Sequence, residues 1–196
     1  MRDLPSTSSI SSTTGRERES CGWCGRAIQS PEGQYKHRIL ITLNSDGSGI
    51  QVAVSPGLWK RRDHHPNWHP GGERILTNLA PKDQFRFCLF RHDGSDFRTL
   101  SEDFLGSGHP GFEKTGRHIL TDSYPNEPVA LANGEVPLRL IGTRPSQDRM
   151  VATMFTLGRK EPTAVRLDPH PAWSRDGRRA CFNGAPAAAD RYSSPI

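Results

Sequence analysis

Three short segments with the same residue types place a histidine at matching positions along the chain. Each segment reads His-Pro-x-aromatic, with a glycine seven residues after the histidine: His65 with Gly72, His109 with Gly116, and His170 with Gly177. Neutral imidazole is a common ligand of divalent metals, and a histidine set with open positions leaves room for a substrate oxygen. If rotation about one axis relates the copies, we expect His65, His109 and His170 to converge on a metal ion.

An acidic residue and further histidines stand beside these positions. Asp168 lies two residues before His170, and residues two apart in a strand share a face, so Asp168 is predicted to add an oxygen ligand. His64 and His69 add donors near His65, but adjacent strand residues point to opposite faces, so all of them cannot bind one ion. In a second interpretation, each His-Pro marks the entry of a strand, with the imidazole hydrogen-bonded to a neighbouring backbone carbonyl.

The likeness among the copies extends over fourteen positions, at 65–78, 109–122 and 170–183. A degenerate fourth copy is predicted at 30–33, from the likeness of Ser30-Pro31-Glu32-Gly33 to 174–177. The marker glycines at 33, 72, 116 and 177 are then 39, 44 and 61 residues apart. The first two steps are typical of a four-stranded propeller blade, and the last is expected to contain an inserted loop over 126–134.

Strands and hairpins are predicted between the markers. Apolar residues alternate with their neighbours at Ile39, Ile41 and Leu43, and again at Phe85, Phe87 and Leu89; this period indicates strands. An Asp-Gly pair at 46–47 and another at 93–94 follow these runs and predict hairpin turns. The fold class is therefore all-β, an incomplete β-propeller of about three to four four-stranded blades. The aromatic residues of the copies are expected to pack between blades: Trp68, Phe112 and Trp173.

Composition narrows the class of protein. The 196 residues include 19 glycines and 16 prolines, and 33% are hydrophobic, so turns are expected to be frequent and long helices few. No apolar stretch approaches the roughly 20 residues that span a bilayer, and the polar start does not resemble a signal peptide, so a cytoplasmic protein with no membrane partner is predicted. The net charge is +5, but the basic residues form no stripe interleaved with aromatic residues. No nucleic-acid partner is therefore predicted.

The two ends of the chain and its cysteines give further expectations. Residues 1–20 are rich in Ser and Thr and are predicted to be a disordered tail before a partial propeller over 21–196. Propellers close with about four to eight blades, so a fragment of a longer protein is expected, with open sheet edges through which it self-associates. Cys88 and Cys181 lie in apolar runs and are predicted to be buried thiols. Cys21 and Cys24 have the spacing of half a zinc knuckle or of a redox dithiol, but the sequence has no second pair and no βαβ pattern around them.

The order of these motifs resembles that of the TolB-type, WD-repeat-like β-propellers over roughly residues 30–185. The hallmark of these propellers is an aromatic-Ser-Pro-Asp-Gly turn, and Trp173-Ser174-Arg175-Asp176-Gly177 departs from it by one residue. The segments 108–110, 116–122 and 168–173 are similar to the oligogalacturonate-lyase-like branch of these propellers.

This resemblance implies a metal-dependent enzyme that cleaves an acidic oligosaccharide, one containing uronate, by β-elimination. In such a scheme a metal and an arginine neutralise the uronate carboxylate, a histidine or lysine removes the C5 proton, and the C4 oxygen leaves. The resemblance implies manganese held by several histidines and a glutamine, and by motif His109 and His170 are the matching residues. Asp168 stands where another ligand is expected, no glutamine can be placed, and no catalytic base is identified. The alternative is a non-catalytic TolB-like propeller that acts as a protein or carbohydrate interaction module.

Overall fold

The computed structural model describes residues 7–10, 19–30, 33–54, 63–132, 135–156 and 167–184. The described residues form fourteen β-strands, joined by turns and irregular segments. They include no helix that is long and apolar enough to cross a membrane. The chain divides into two compact units, Met1–Glu102 and Asp103–Ile196.

The first unit contains two four-stranded antiparallel sheets, in which each strand pairs with the next along the chain. The first sheet consists of β1 (Thr7–Ile10), β2 (Glu19–Ser30), β3 (Gly33–Asn44) and β4 (Gln51–Val54). The second consists of β5 (Asp63–Trp68), β6 (Arg74–Leu79), β7 (Arg86–Arg91) and β8 (Arg98–Thr99). This up-and-down order is that of a propeller blade.

Apolar side chains of the two sheets form the core of the first unit. Leu40, Ala53 and Val54 of the first sheet belong to one buried cluster with residues of the second: Trp68, Ile75, Leu79, Cys88 and Phe90. Burial of Trp68 confirms its predicted place between blades. The alternation over 85–89 predicted one buried face for β7, but residues 87–90 are all buried. Both faces of this central strand are covered, which explains its nearly continuous apolar run.

The second unit contains one four-stranded and one two-stranded antiparallel sheet. The first is ordered β12-β11-β10-β9 and consists of β9 (Gly111–Phe112), β10 (His118–Thr121), β11 (Glu135–Thr143) and β12 (Ser146–Phe155). The second pairs β13 (Ala172–Trp173) with β14 (Ala180–Cys181). The half-buried Trp173 indole donates a hydrogen bond to the Gly111 carbonyl at 3.1 Å and so links the two sheets. The prediction of an all-β, incomplete β-propeller is confirmed.

The three-copy repeat is confirmed by its backbone hydrogen bonds. In each copy the residue four places after the histidine donates its N–H to the carbonyl five residues on, at 2.8 to 3.0 Å: His69 to Arg74, Glu113 to His118, and Ser174 to Arg179. In each hairpin the N–H of the marker glycine donates to the carbonyl of the residue four places after the histidine. The φ angle is 76° at Gly72, 72° at Gly116 and 69° at Gly177. A left-handed conformation favours glycine at this position.

Side chains of three chemical types complete these hairpins. The His69 Nδ1 accepts the N–H of Gly71 at 3.0 Å, and the Ser174 hydroxyl accepts the N–H of Arg179 at 3.0 Å. The buried Glu113 carboxylate accepts the N–H groups of residues 115, 117 and 118 at 2.6, 2.8 and 3.3 Å. His69 therefore acts in a turn.

The two Asp-Gly hairpins are also confirmed. They connect β3 to β4 and β7 to β8. In the first, the Asp46 carboxylate accepts the N–H of Ser48 at 2.9 Å, and in the second Asp93 accepts the N–H of Ser95 at 3.0 Å. These local side-chain bonds stabilise tight turns.

Two sequence-based expectations are wrong. Gly33 is the first residue of the third strand of its sheet, whereas Gly72 and Gly116 lie between the first and second strands of theirs. Residues 30–33 are therefore not a fourth copy, because glycine marks turns of any position in a sheet. Cys181 is exposed, since both residues of the short strand β14 are exposed, whereas Cys88 is buried and burial raises the pKa of its thiol to about 12.

Other expectations have a mixed outcome. Phe112 is half-buried rather than fully enclosed. The inserted segment 126–134 lies in the connection between β10 and β11, with 133 and 134 outside the described residues. Within the predicted tail, Thr7–Ile10 forms β1 and Glu19 begins β2, while the remainder lies outside the described residues. The Cys21-x-x-Cys24 segment is part of β2.

Replacement of Glu113 by glutamine is expected to destabilise the protein by about 1–3 kcal/mol at neutral pH, because a charged acceptor of three N–H groups is lost. Burial opposes ionisation of Glu113, but hydrogen bonds from Thr115, Arg117 and His118 outweigh it and lower its pKa. The stabilisation is therefore present above the unfolded value of about 4.3 and lost as pH falls through the lower folded value. Urea unfolding of both proteins at several pH values measures this; a difference that grows on acidification would contradict it.

Candidate metal centre

His109 and His170 lie side by side in the second unit. Each precedes a short first strand, β9 and β13 respectively. Their imidazole rings are stacked, with centroids 3.4 Å apart and an interplanar angle of 30°. The prediction that these two side chains lie close together is confirmed, and their role as metal ligands stays a prediction.

Asp168 lies beside this pair. One ligand atom from each of His109, Asp168 and His170 falls within 4.8 Å of the other two. The His109 side chain is buried and the His170 side chain is exposed, so the cluster lies at the boundary between protein and solvent. Two imidazoles and one carboxylate form a donor set that suits several divalent transition metals.

A buried carboxylate, Asp122, holds the two histidine segments. Asp122 is fully buried and its oxygens lie 2.9 and 3.0 Å from the Nδ1 atom of His109. It also accepts the backbone N–H of His109 at 2.7 Å and that of His170 at 2.9 Å. One side chain therefore connects the second His-Pro segment to the third.

The charge of Asp122 determines which nitrogen of His109 is available. Burial would raise the pKa of Asp122, but hydrogen bonds from the His109 ring and from the N–H groups of His109 and His170 outweigh it, so the pKa lies below its ordinary value. An ionised Asp122 accepts a proton-bearing Nδ1, which leaves the lone pair on Nε2. Carboxylates commonly orient metal-binding histidines in this way.

Tyr124 contacts the other nitrogen of His109. Its hydroxyl oxygen lies 3.0 Å from Nε2, and the two rings meet edge to face with centroids 5.3 Å apart. Tyr124 is buried in the segment that follows β10. With the lone pair on Nε2, the hydroxyl donates this hydrogen bond. Asp122, His109 and Tyr124 thus form a continuous buried chain of hydrogen bonds.

A second buried acid, Glu127, also holds this arrangement in place. Its carboxylate accepts the N–H of Tyr124 at 2.8 Å and the N–H of Gly108 at 3.2 Å. Burial raises the pKa of Glu127 above its ordinary value, and the nearby charge of Asp122 acts in the same direction. Glu127 therefore ties the segment that carries Tyr124 to the segment that carries His109.

The backbone of Asp122 is anchored as well. Its carbonyl accepts the Ser107 hydroxyl at 2.7 Å, and the Ser107 oxygen accepts Arg139 Nη1 at 2.8 Å. Arg139 is almost fully buried and paired with Asp148 through both Nε, at 3.1 Å, and Nη2. This paired charge on β11 supports the loop that contains Gly108 and His109.

His65 lies in the first unit, half-buried in β5, and its participation in a metal site stays a prediction. It shares a left-handed backbone with His170, at φ of 55° and 44°. In the second copy the left-handed residue is Gly108, at φ of 46°. Backbone strain at non-glycine residues is common at functional sites.

The sequence contained a signal for Asp122 that was not assigned a role. Asp122 occupies the last of the fourteen repeat positions, where the first and third copies have Asn78 and Asn183. The only carboxylate among the three equivalent positions thus lies in the copy that contains His109. Tyr124 and Glu127 follow it outside the repeat pattern, so no comparison among copies identifies them.

Comparison with solved structures agrees with the propeller fold. A protein assigned as a TolB from Agrobacterium tumefaciens aligns with 95% of this chain and 61% of its own, at a TM-score of 0.62 and 16% identity. TolB from Acinetobacter baumannii aligns with 93% of this chain and 38% of its own, at 0.58 and 15%. An oligogalacturonate lyase in complex with manganese aligns with 87% of this chain and 45% of its own, at 0.56 and 13%.

These likenesses define the fold. The chain has the fold of an incomplete β-propeller, and this fold is similar to that of the two TolB structures. It spans between 38% and 61% of the length of these three structures. No family model matches the chain. No curated protein sequence matches it either.

Replacement of Gly108 by alanine is expected to destabilise the second unit by more than about 3 kcal/mol, because a Cβ at this position collides with both the carboxylate and the backbone carbonyl of Asp122. The matched control is Gly177→Ala, which also has a positive φ but meets only the flexible Lys114 side chain, at 3.3 Å, and the Glu113 carboxylate at an ordinary van der Waals distance of 3.7 Å. The control is expected to lose about 1–2 kcal/mol from backbone strain alone. Equal losses in urea unfolding would show that the approach of Asp122 is not limiting.

Proposed function

We propose that His109, His170 and Asp168 bind a divalent cation such as manganese, and that the propeller acts on uronate-containing oligosaccharides by β-elimination. The observation that carries the proposal is the group of three ligand atoms within 4.8 Å, with Asp122 behind His109. Further support comes from the oligogalacturonate lyase of similar fold, whose structure contains manganese.

The residues present fit a divalent cation in type and number. Imidazole nitrogens and a carboxylate oxygen are ligands that manganese and neighbouring metals accept. A bound cation supplies a positive charge that neutralises a substrate carboxylate and stabilises charge that develops beside it. Asp122 holds His109 by Nδ1, so that the ring does not have to reorient when its other nitrogen is used.

The exposed side of the cluster is the side on which an acidic sugar would bind. His170 is exposed, whereas His109 and Tyr124 are buried, so substrate contacts are assigned to His170 rather than to the deeper residues. In β-elimination a base takes the C5 proton, the electron pair forms the C4–C5 double bond, and the glycosidic oxygen leaves C4. The described residues do not identify the base.

A second candidate function is that of a non-catalytic interaction module for proteins or carbohydrates. It is favoured by a specific observation: both ring nitrogens of His109 have partners inside the protein, Asp122 and Tyr124. In this function the histidine pair and Asp122 serve only to join the sheet that begins with β9 to the sheet that begins with β13. The two functions differ in whether the cluster binds metal.

Metal binding is tested by calorimetric titration of the full chain with Mn²⁺. One ion per chain is expected, and His170→Ala is expected to lower the affinity at least about tenfold, because one of the three ligands is lost. Asp168→Asn is expected to weaken binding as well. His118→Ala, another exposed histidine of the second unit, is the matched control. Unchanged affinity in both ligand variants would exclude the site.

Lyase activity is tested separately, with oligogalacturonate and Mn²⁺. The expected product is an unsaturated uronate, which is followed by its ultraviolet absorbance. Activity is expected to fall in His170→Ala and on addition of a chelator, and to persist in His118→Ala. Metal binding without product would favour the interaction module over the enzyme.

A further inference from the structure

The Nε2 atom of His109 has one lone pair, and both the Tyr124 hydroxyl and a bound cation would use it. The Tyr124 hydroxyl lies 3.0 Å from this atom and donates to it. A cation held by His109 uses the same lone pair, because Nδ1 is engaged by Asp122. Tyr124 must therefore withdraw when a cation binds, exclude the cation, or become a ligand itself.

The surroundings of Tyr124 oppose withdrawal. Glu127 accepts the N–H groups of both Tyr124 and Gly108, the residue before His109. A shift of the Tyr124 backbone away from His109 breaks buried hydrogen bonds to a carboxylate, and such bonds are costly to leave unmade. Tyr124 is only 8% exposed, and its ring packs edge to face on the His109 ring. These contacts restrict rotation of the side chain.

The distance between the two atoms fits joint ligation. With bonds of about 2.1 Å, two ligands at a right angle on one ion are about 3.0 Å apart, and two at a tetrahedral angle are about 3.4 Å apart. The separation of 3.0 Å between Nε2 and the Tyr124 oxygen matches the right angle of octahedral coordination, which manganese prefers with oxygen ligands. The two atoms are therefore close enough together for both to bind one cation that lies off the line joining them.

We propose that the Tyr124 oxygen is a ligand of the cation, as a phenolate, together with His109, His170 and Asp168. The proposal rests on the metal site of the proposed function and adds a residue to it. On binding, the O–H bond of Tyr124 breaks and its proton passes to the buffer. The oxygen lone pair then forms a bond to the cation, the Nε2 lone pair forms another, and no electron is transferred.

The experiment uses the full chain and Cu²⁺ as a spectroscopic probe, because copper binds nitrogen and oxygen sites more tightly than other divalent first-row metals. The wild-type protein is expected to show a visible phenolate-to-copper charge-transfer band, with phenolate modes enhanced in its resonance Raman spectrum. Tyr124→Phe, which keeps the ring, is expected to lose the band and to bind Mn²⁺ at least about tenfold more weakly. Calorimetry in buffers of different ionisation enthalpy is expected to show one proton fewer released by Tyr124→Phe than by wild type.

The outcomes separate this proposal from the proposed function. Cu²⁺ binding that needs His170 but gives no phenolate band, or Mn²⁺ binding that tightens in Tyr124→Phe, overturns the role of Tyr124 and leaves the metal site intact. No binding of either ion by the wild-type protein overturns both. The Raman spectrum of the wild type decides the matter even where the variant folds poorly.

Discussion

The buried carboxylate of Asp122 is the constraint on which the candidate site depends. A fully buried charge must be matched by donors, and here the donors come from segments 13 and 48 residues away, at His109 and His170. Their N–H groups orient both His-Pro segments toward one point. The close approach of Asp122 also requires glycine at 108, so backbone conformation, ring orientation and sheet-to-sheet contact follow from one side chain.

The repeat produces a local site from nearly equivalent parts. The last repeat position is asparagine in the first and third copies and aspartate in the second, a difference of one side-chain group. Asparagine brings a neutral amide, whereas aspartate brings a charge that fixes the proton of His109 on Nδ1. The loop that follows Asp122 lies outside the repeat pattern, and it adds Tyr124 and Glu127. A chemically distinct centre therefore arises where the second copy meets the third, without a change in the hairpins of either copy.

The sequence predicted the fold and part of the site because both are expressed in the repeat. The hairpin glycines and the pairing of His109 with His170 and Asp168 follow from periodicity, which reports backbone geometry directly. Tyr124 and Glu127 lie in an irregular loop, whose path depends on contacts between residues far apart in sequence. Gly33 was misplaced because a glycine turn does not show which strands it joins, and Cys181 because apolar neighbours do not show whether a strand has covering layers.

The hairpins at His69, Glu113 and Ser174 carry a wider consequence for how such chains diverge. An imidazole, a carboxylate and a hydroxyl each accept backbone N–H groups in the same type of turn. Several residue types therefore specify one turn. The three copies share a hydrogen-bond acceptor and a glycine at a fixed spacing, rather than an identical amino-acid sequence. A fold specified in this degenerate way can be retained while sequence identity falls, which agrees with TM-scores above 0.5 at identities of 13% to 16%.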